Sequence, residues 1–271
     1  MSASNCNKKV LSMADFIEIF ADELYQAEVN RNPIEPLTSR NGSLTVEDAY
    51  KIQLKNVERK IKKGWRIKGK KIGITSLAVQ RMLNVNQPDF GYLFDTMYVE
   101  DGGVIKIDTL IQPRVEGEIA FVMEKDLKGP GVTEADVLRA TAFVVPSIEI
   151  VDSRIKDWKI KIQDTIADNA SSGLFVVGGK KTVVDNLDFR CLGMILERNG
   201  DVVVSGAGAA SLGNPVKAVA WLANKLSEFG EYLRAGEIVL SGALAQLVVP
   251  KRGDFFKVTI QKLGSVSVKF E

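Results

Sequence analysis

The feature that most constrains this chain is a change of texture at Gly64. Before it, apolar residues recur at helical spacing. Over residues 12–28 the stripe is Phe16, Ile17, Phe20, Ala21 and Leu24, and Asn32-Pro33 breaks it. Thr45 can cap a second helix with Asp48 three residues on, and Val46, Tyr50, Leu54, Val57 and Ile61 give that helix one apolar face before Gly64 ends it. After Gly64, short apolar runs are separated by Gly, Pro, Asn and Asp, which signals strands and turns. Strands are expected at 67–74, 104–107, 116–123, 143–151, 174–177, 191–197, 201–205, 238–241, 247–249, 255–260 and 265–270. Asn199-Gly200 reads as a hairpin turn, and helices are expected at 76–83, 133–142 and 214–228, the last opened by Pro215. The fold class is therefore α+β. A helical N-terminal region (residues 1–65) precedes a larger, mostly antiparallel or mixed β domain (66–271), with no repeat, low-complexity stretch or flexible linker.

Composition removes most catalytic options at once. Among 271 residues there is no histidine. This excludes Ser-His-Asp and Cys-His catalysis, His-ligated zinc and any imidazole base, and leaves carboxylates, lysine, hydroxyls or a hard metal ion. Lys plus Arg (36) against Asp plus Glu (34) gives a net charge of only +2, which argues against a nucleic-acid binder. Cys6 and Cys191 are too few for a disulfide framework and lie in no CxxC, so a reducing cytoplasm is expected. No run approaches the roughly 18 apolar residues of a membrane span, and MSASNCNKKV at the start has no signal-peptide core.

Several residues then stand out. Glu149 is the only ionisable group in FVVPSIEIV (143–151); it is either one residue of a wet strand face or a buried carboxylate that needs a partner. In PRVEGEIAFVM (113–123), Arg114, Glu116 and Glu118 project from one face of a strand, with the two carboxylates about 7 Å apart. Alone, this ExE reads as an exposed charged face. Together with Glu149 it would suit Mg²⁺ or Mn²⁺. RKIKKGWRIKGKK (59–71) reads chiefly as a solvated basic patch, except that Lys71 enters the apolar run Ile72-Gly73-Ile74, where partial burial would lower its pKa. SGAGAASLG (205–213) has the wrong spacing and context for a dinucleotide-binding turn and reads as a backbone turn near a site.

Longer segments carry a resemblance: GKKIGITS (69–76), NQPDFGYL (86–93), QPRVEGEIAF (112–121), VVPSIEIVDSRIKDWKIKIQDTIADNASSG (144–173), GAGAASLGNPVKAVAWLANKL (206–226) and AGEIVLSGAL (235–244), with DELYQA (22–27) and PLTSR (36–40). The chain resembles the hydratase/decarboxylase family of the fumarylacetoacetate hydrolase superfamily, and within it the 2-hydroxypenta-2,4-dienoate hydratases of meta-cleavage aromatic degradation. The resemblance implies a β-roll or barrel-like C-terminal domain behind a helical N-terminal part. It implies a divalent ion, Mg²⁺ or Mn²⁺, on Glu116, Glu118 and Glu149, with Lys71, Asp89 and Ser171 as catalytic residues and Leu93, Ser241 and Gly242 against the substrate. The substrate class it implies is a small 2-hydroxydienoate, hydrated to 4-hydroxy-2-oxopentanoate. Members of the family are usually large homo-oligomers; the competing expectations are that the chain is the sister 4-oxalocrotonate decarboxylase, or a non-catalytic partner subunit that co-assembles with it. In the decarboxylases the segment matching QPDFG reads more like TPIYG, so Asp89 favours the hydratase. The hydrolytic branch activates water with a glutamate-histidine pair, which this chain cannot supply.

Overall fold

Residues 12–82 and 84–271 are described by the structure, a computed structural model. Cys6, the initial MSASNCNKKV and Leu83 lie outside the described residues. Three helices come first: α1 (Met13–Asn30), α2 (Leu37–Arg40) and α3 (Val46–Lys62). Ser12 with Asp15, and Thr45 with Asp48, form capping boxes that satisfy the first free N–H groups of α1 and α3. α1 buries Ile17, Phe20, Ala21, Leu24 and Ala27, close to the expected stripe. The buried face of α3 is rotated from its expected one. Ala49, Tyr50, Ile52, Gln53, Val57 and Lys60 turn inward while Ile61 is exposed. Polar residues can occupy that face because each finds a partner: the Gln53 amide donates to the carbonyls of Phe90 and Ile166, and Lys60 pairs with Glu28 at 2.7 Å.

The remaining elements are β1 (Ile67–Gly73), α4 (Leu77–Met82), β2 (Asp89–Phe94), β3 (Tyr98–Val99), β4 (Gly103–Ile105), β5 (Pro113–Met123), α5 (Glu134–Ala140), β6 (Thr141–Asp152), α6 (Ile162–Ala167), β7 (Ser172–Val177), β8 (Gly193–Arg198), β9 (Asp201–Ala207), α7 (Pro215–Ser227), β10 (Ile238–Leu240), β11 (Phe255–Ile260) and β12 (Gly264–Phe270). They build a mixed seven-stranded sheet, β2-β1-β10-β5-β6-β7-β3, and a five-stranded sheet, β4-β12-β11-β8-β9. The larger sheet must curl. β2 and β3 sit at its opposite edges, yet only a three-residue 3-10 turn, Asp95–Met97, joins them. A connection that short spans at most about 14 Å, whereas the edges of a flat seven-stranded sheet lie roughly 29 Å apart. The result is a barrel-like roll with an inner face, as the family resemblance implied. The smaller sheet packs outside it: a Cβ on Gly117 would touch Val258 and Met194, so Gly117 faces outward while Glu116 and Glu118 face in.

Several expectations are corrected. Residues 247–249 form no strand; Val248 makes only an isolated bridge to Val115, and its neighbours Leu247 and Val249 are exposed just before Pro250. β2 and α6 were not anticipated, because DFGYLF is buried throughout and shows no alternation, while IQDTIA is too short for a helical period. The basic run is not uniformly solvated. Lys60 is buried, and Lys70 is fully buried against Glu237 at 2.8 Å. No helix among the described residues is long and apolar enough to cross a membrane.

Candidate active site

β5 and β6 pair antiparallel in one register from Pro113 to Val122, with Glu116 opposite Glu149 and Glu118 opposite Ser147. That register places Glu116, Glu118 and Glu149 on the inner face, where one carboxylate oxygen from each lies within 4.8 Å of the others. All three are buried, so the wet-face reading of Glu149 and the exposed reading of ExE both fall. Lys71 arrives from β1, its Nζ 3.4 Å from Glu149 Oε1, while the pleat sends Lys70 to the other face and its own partner. Asp89 arrives from β2, opposite Gly73, with Oδ2 accepting a 3.0 Å hydrogen bond from the Thr165 hydroxyl. A Cβ on Gly73 would collide with Asp89 Oδ1 and lie 3.3 Å from Lys71 Nζ, so glycine there lets the carboxylate and the ammonium approach.

The loop after β10 completes the cluster. Gly242, at φ +99°, donates its N–H to Glu118 Oε2 at 2.6 Å, and a Cβ there would strike Thr75. Ser241 is fully buried; its carbonyl accepts from Ser211 at 2.6 Å, which places the SGAGAASLG turn behind the site, and its own hydroxyl has no partner among the described residues. Ser171 follows Asn169 and Ala170 in a turn whose three residues all have φ between 51° and 54°. Three successive non-glycine residues in the left-handed region carry strain that only surrounding contacts can hold. Those contacts are present. The Asn169 amide brackets the Tyr92 backbone at 2.8 and 2.9 Å, and Arg154 binds the Asp168 carboxylate and the Ser172 carbonyl. The Ser171 hydroxyl points to Asp168 at 3.4 Å, and Leu93 lies in the core opposite Gly69, four residues along β2 from Asp89. The structure thus gathers Glu116, Glu118, Glu149, Lys71, Asp89 and Gly242, with Ser241 next to Gly242, while Ser171 contacts Asp168 and Leu93 lies in the core.

Electrostatically the cluster is starved of positive charge. Desolvation, then repulsion from Glu149 and Glu116, holds Glu118 well above the usual carboxylate range. Desolvation pushes Glu149 up to about 8, although Lys71 opposes it. Lys71 departs from expectation: burial is complete and works to lower its pKa, but Glu149, Asp89, Glu116 and Glu118 together overcome it and raise the value. Asp89 is raised, mainly by desolvation. Glu118 Oε1, both Glu149 oxygens and Asp89 Oδ1 have no hydrogen-bond partner among the described residues. Three buried, converging carboxylates, of which Glu118 and Glu149 have orphaned oxygens and raised pKa values, fit a hard divalent cation, which takes oxygen ligands.

The family described as fumarylacetoacetate (FAA) hydrolase C-terminal matches residues 70–271. The chain belongs to this family. It is similar to 2-hydroxyhexa-2,4-dienoate hydratase of Comamonas testosteroni, at 51% identity over 96% of this chain and 99% of that one. It is also similar to 2-hydroxypent-2,4-dienoate hydratase of Pseudomonas putida, at 58% identity over 79% of this chain and 97% of the relative. Among solved structures, 4-oxalocrotonate decarboxylase from Pseudomonas putida G7, complexed with magnesium and adipate, superposes with a TM-score of 0.92 at 39% identity, covering 97% of this chain and 99% of that one. The fold of this family member is therefore shared almost end to end with an enzyme whose structure holds a divalent cation.

Sequence reasoning missed Thr165, Arg154, Asp168 and Asn169, which support Asp89 and Ser171. A signal existed: TIADNAS (165–171) alternates small apolar and polar residues with no helical or strand period, as a buried polar turn must.

Proposed function

We propose that this protein is a divalent-metal-dependent hydro-lyase that adds water to 2-hydroxypenta-2,4-dienoate or a close homologue, giving the 4-hydroxy-2-oxo acid. The observation that carries this reading is the buried Glu116, Glu118 and Glu149 group beside the Lys71–Asp89 pair, in a chain whose relatives at 51% and 58% identity are named as dienoate hydratases. Mg²⁺ or Mn²⁺ is the cofactor proposed for the three glutamates. Bound there, the cation would supply Lewis-acid stabilisation of negative charge developing on the substrate's 1-carboxylate and 2-oxygen. The rest of the chemistry falls to the chain's own residues. Lys71, whose environment keeps it protonated, is the donor of the proton that C5 receives as the 2-hydroxydiene becomes a 2-oxo-3-enoate, and its neutral amine takes back the proton that the 2-hydroxyl releases. Asp89, whose Oδ1 has no partner among the described residues, orients and deprotonates the water whose oxygen bonds to C4 as C3 takes up a proton from Lys71, and the proton on Asp89 then restores the ammonium. Ser171, Ser241 and the Gly242 loop position the substrate, and Leu93 backs β2 behind it. Full burial of the cluster excludes competing water.

The decarboxylase reading is kept as the competitor because that enzyme shares the fold at a TM-score of 0.92. Incubation with 2-hydroxypenta-2,4-dienoate and Mg²⁺ or Mn²⁺ should abolish the dienoate absorbance and give a product one water heavier. Release of carbon dioxide from 4-oxalocrotonate, with no hydration, would transfer the assignment. We also propose a homo-oligomer in a reducing cytoplasm, able to associate with such a decarboxylase, with residues 1–65 as a helical unit against the catalytic β domain. Exposed Val202 and Val203 on the edge strand β9, and Phe255 on β11, support self-association.

A further inference from the structure

Arg114 has no part in the chemistry assigned above. It precedes Glu116 by two residues on β5, and the β5–β6 pairing runs unbroken from Pro113 to Val122, so no bulge turns it away from the face that carries Glu116 and Glu118. It is half-buried, and no carboxylate among the described residues pairs with it. Its guanidinium lies 4.3 Å from the centroid of the Trp158 ring. That platform is itself built: Trp158 Nε1 donates to the Gln112 carbonyl at 3.0 Å, and Asp157 and Trp158 both hold φ near +57°, a strained arrangement that clusters at functional sites. Charge gives the arrangement a use. Among the described residues Glu116, Glu118, Glu149 and Asp89 face the one cation Lys71, so with all four ionised around a dication the cluster stays net negative while its substrate is an anion.

We propose that Arg114, steadied on Trp158, binds the one oxygen of the substrate's carboxylate that the cation leaves free and thereby selects anionic 2-oxo acids over neutral analogues. The inference rests on the hydratase reading and adds the residue that lets an anion enter. A planar fork of N–H donors can direct two hydrogen bonds at that oxygen, and stacking on an indole fixes its orientation before the ligand arrives. Arg114→Met keeps the stem over Trp158 and removes only the charge and the donors.

The test uses full-length protein loaded with Mg²⁺ and titrated calorimetrically with 2-oxopentanoate, a saturated analogue that cannot be hydrated, and with its neutral amide. In Arg114→Met the Kd for 2-oxopentanoate should rise about 10- to 100-fold, about 1.4–2.8 kcal/mol. Affinity for the amide and for Mg²⁺ should stay within about twofold, Arg114→Lys should recover part of the loss, and turnover should show a raised KM with kcat little changed. Unchanged 2-oxopentanoate binding in Arg114→Met, or an equal loss for acid and amide, would overturn the assignment and leave the hydratase reading intact. Wild-type protein that binds Mg²⁺ but neither 2-oxopentanoate nor the dienoate would remove both.

Discussion

Stripped of divalent cation by a chelator, the protein should lose stability as pH rises from about 5 to about 8, and saturating Mg²⁺ should flatten most of that fall. Glu149 is held near 8 in the folded chain, against an ordinary 4.5. Between those values the unfolded chain has released its proton and the folded chain retains it. Stability is therefore lost as pH climbs from 4.5 and is fully lost once pH passes the folded value. At about 1.4 kcal/mol per pH unit the penalty approaches 5 kcal/mol at pH 8, an upper bound because relaxation and water entry reduce it. Glu118, raised by the same desolvation and repulsion, adds a slope of the same sign. Lys71 is charged in both states across this window and adds none. A bound cation replaces the protons that Glu149 and Glu118 retain, so about one to two protons should leave per Mg²⁺ bound near pH 7. Asp168, pushed up to about 6 by desolvation, keeps its own slope below that pH with or without metal. The assay is urea unfolding at a series of pH values with chelator or with Mg²⁺, and Mg²⁺ calorimetry in two buffers of different ionisation enthalpy. Glu149→Gln should flatten the chelated curve and abolish tight Mg²⁺ binding. Parallel curves with and without Mg²⁺, or a Glu149→Gln protein that keeps the full slope, would refute the reasoning.

Lys71→Met should lower kcat by about 10²–10⁴ with Mg²⁺ affinity little changed, and exposed Lys68→Met should change neither quantity. Lys70→Met should instead cost about 3–5 kcal/mol of stability in denaturant titration, because it leaves Glu237 buried without its partner. Gly73→Ala should displace the Asp89 carboxylate and reproduce the kinetic defect of Asp89→Asn; normal turnover in Gly73→Ala would show that Asp89 works from another position. Asn169→Gly tolerates the left-handed backbone but loses both bonds to Tyr92, so unfolding should be easier by about 2–3 kcal/mol.

Much of the fold was legible because local signals were strong. Thr45 with Asp48, Thr133 with Asp136, and Asn214 before Pro215 mark three helix starts that the structure keeps. Asn199 and Gly200, both at positive φ, make the expected hairpin between β8 and β9. What escaped depends on contacts distant in sequence. The buried face of α3 was misjudged because Lys60 is paired by Glu28, thirty-two residues away, and no local pattern reveals that an apparent surface lysine has a buried acceptor. β2 was hidden for the opposite reason: with both faces covered, DFGYLF has no polar alternation to display. In the site, period-2 geometry brought Glu116 and Glu118 together, and the isolation of Glu149 marked it as costly to bury. The sign of the Lys71 shift could not be read locally, since three of the four carboxylates that reverse it come from β5 and β6 and the fourth from β2.

The segment GKKIG (69–73) shows how much of the site one register decides. Gly69, Lys71 and Gly73 share the inner face of β1, two residues apart. A Cβ at Gly69 would collide with the Ile238 carbonyl of β10, and one at Gly73 would collide with the Asp89 carboxylate. Slipping β1 by one residue would put Lys68 or Lys70, and Ile72 or Ile74, into those two places. It would also turn Lys71 outward toward the Glu237 side. The two glycines therefore do more than leave room for neighbours. By making every adjacent register collide at both positions, they determine which of two consecutive lysines faces the three glutamates, and so separate the lysine that can move a proton from the one that only holds the sheet.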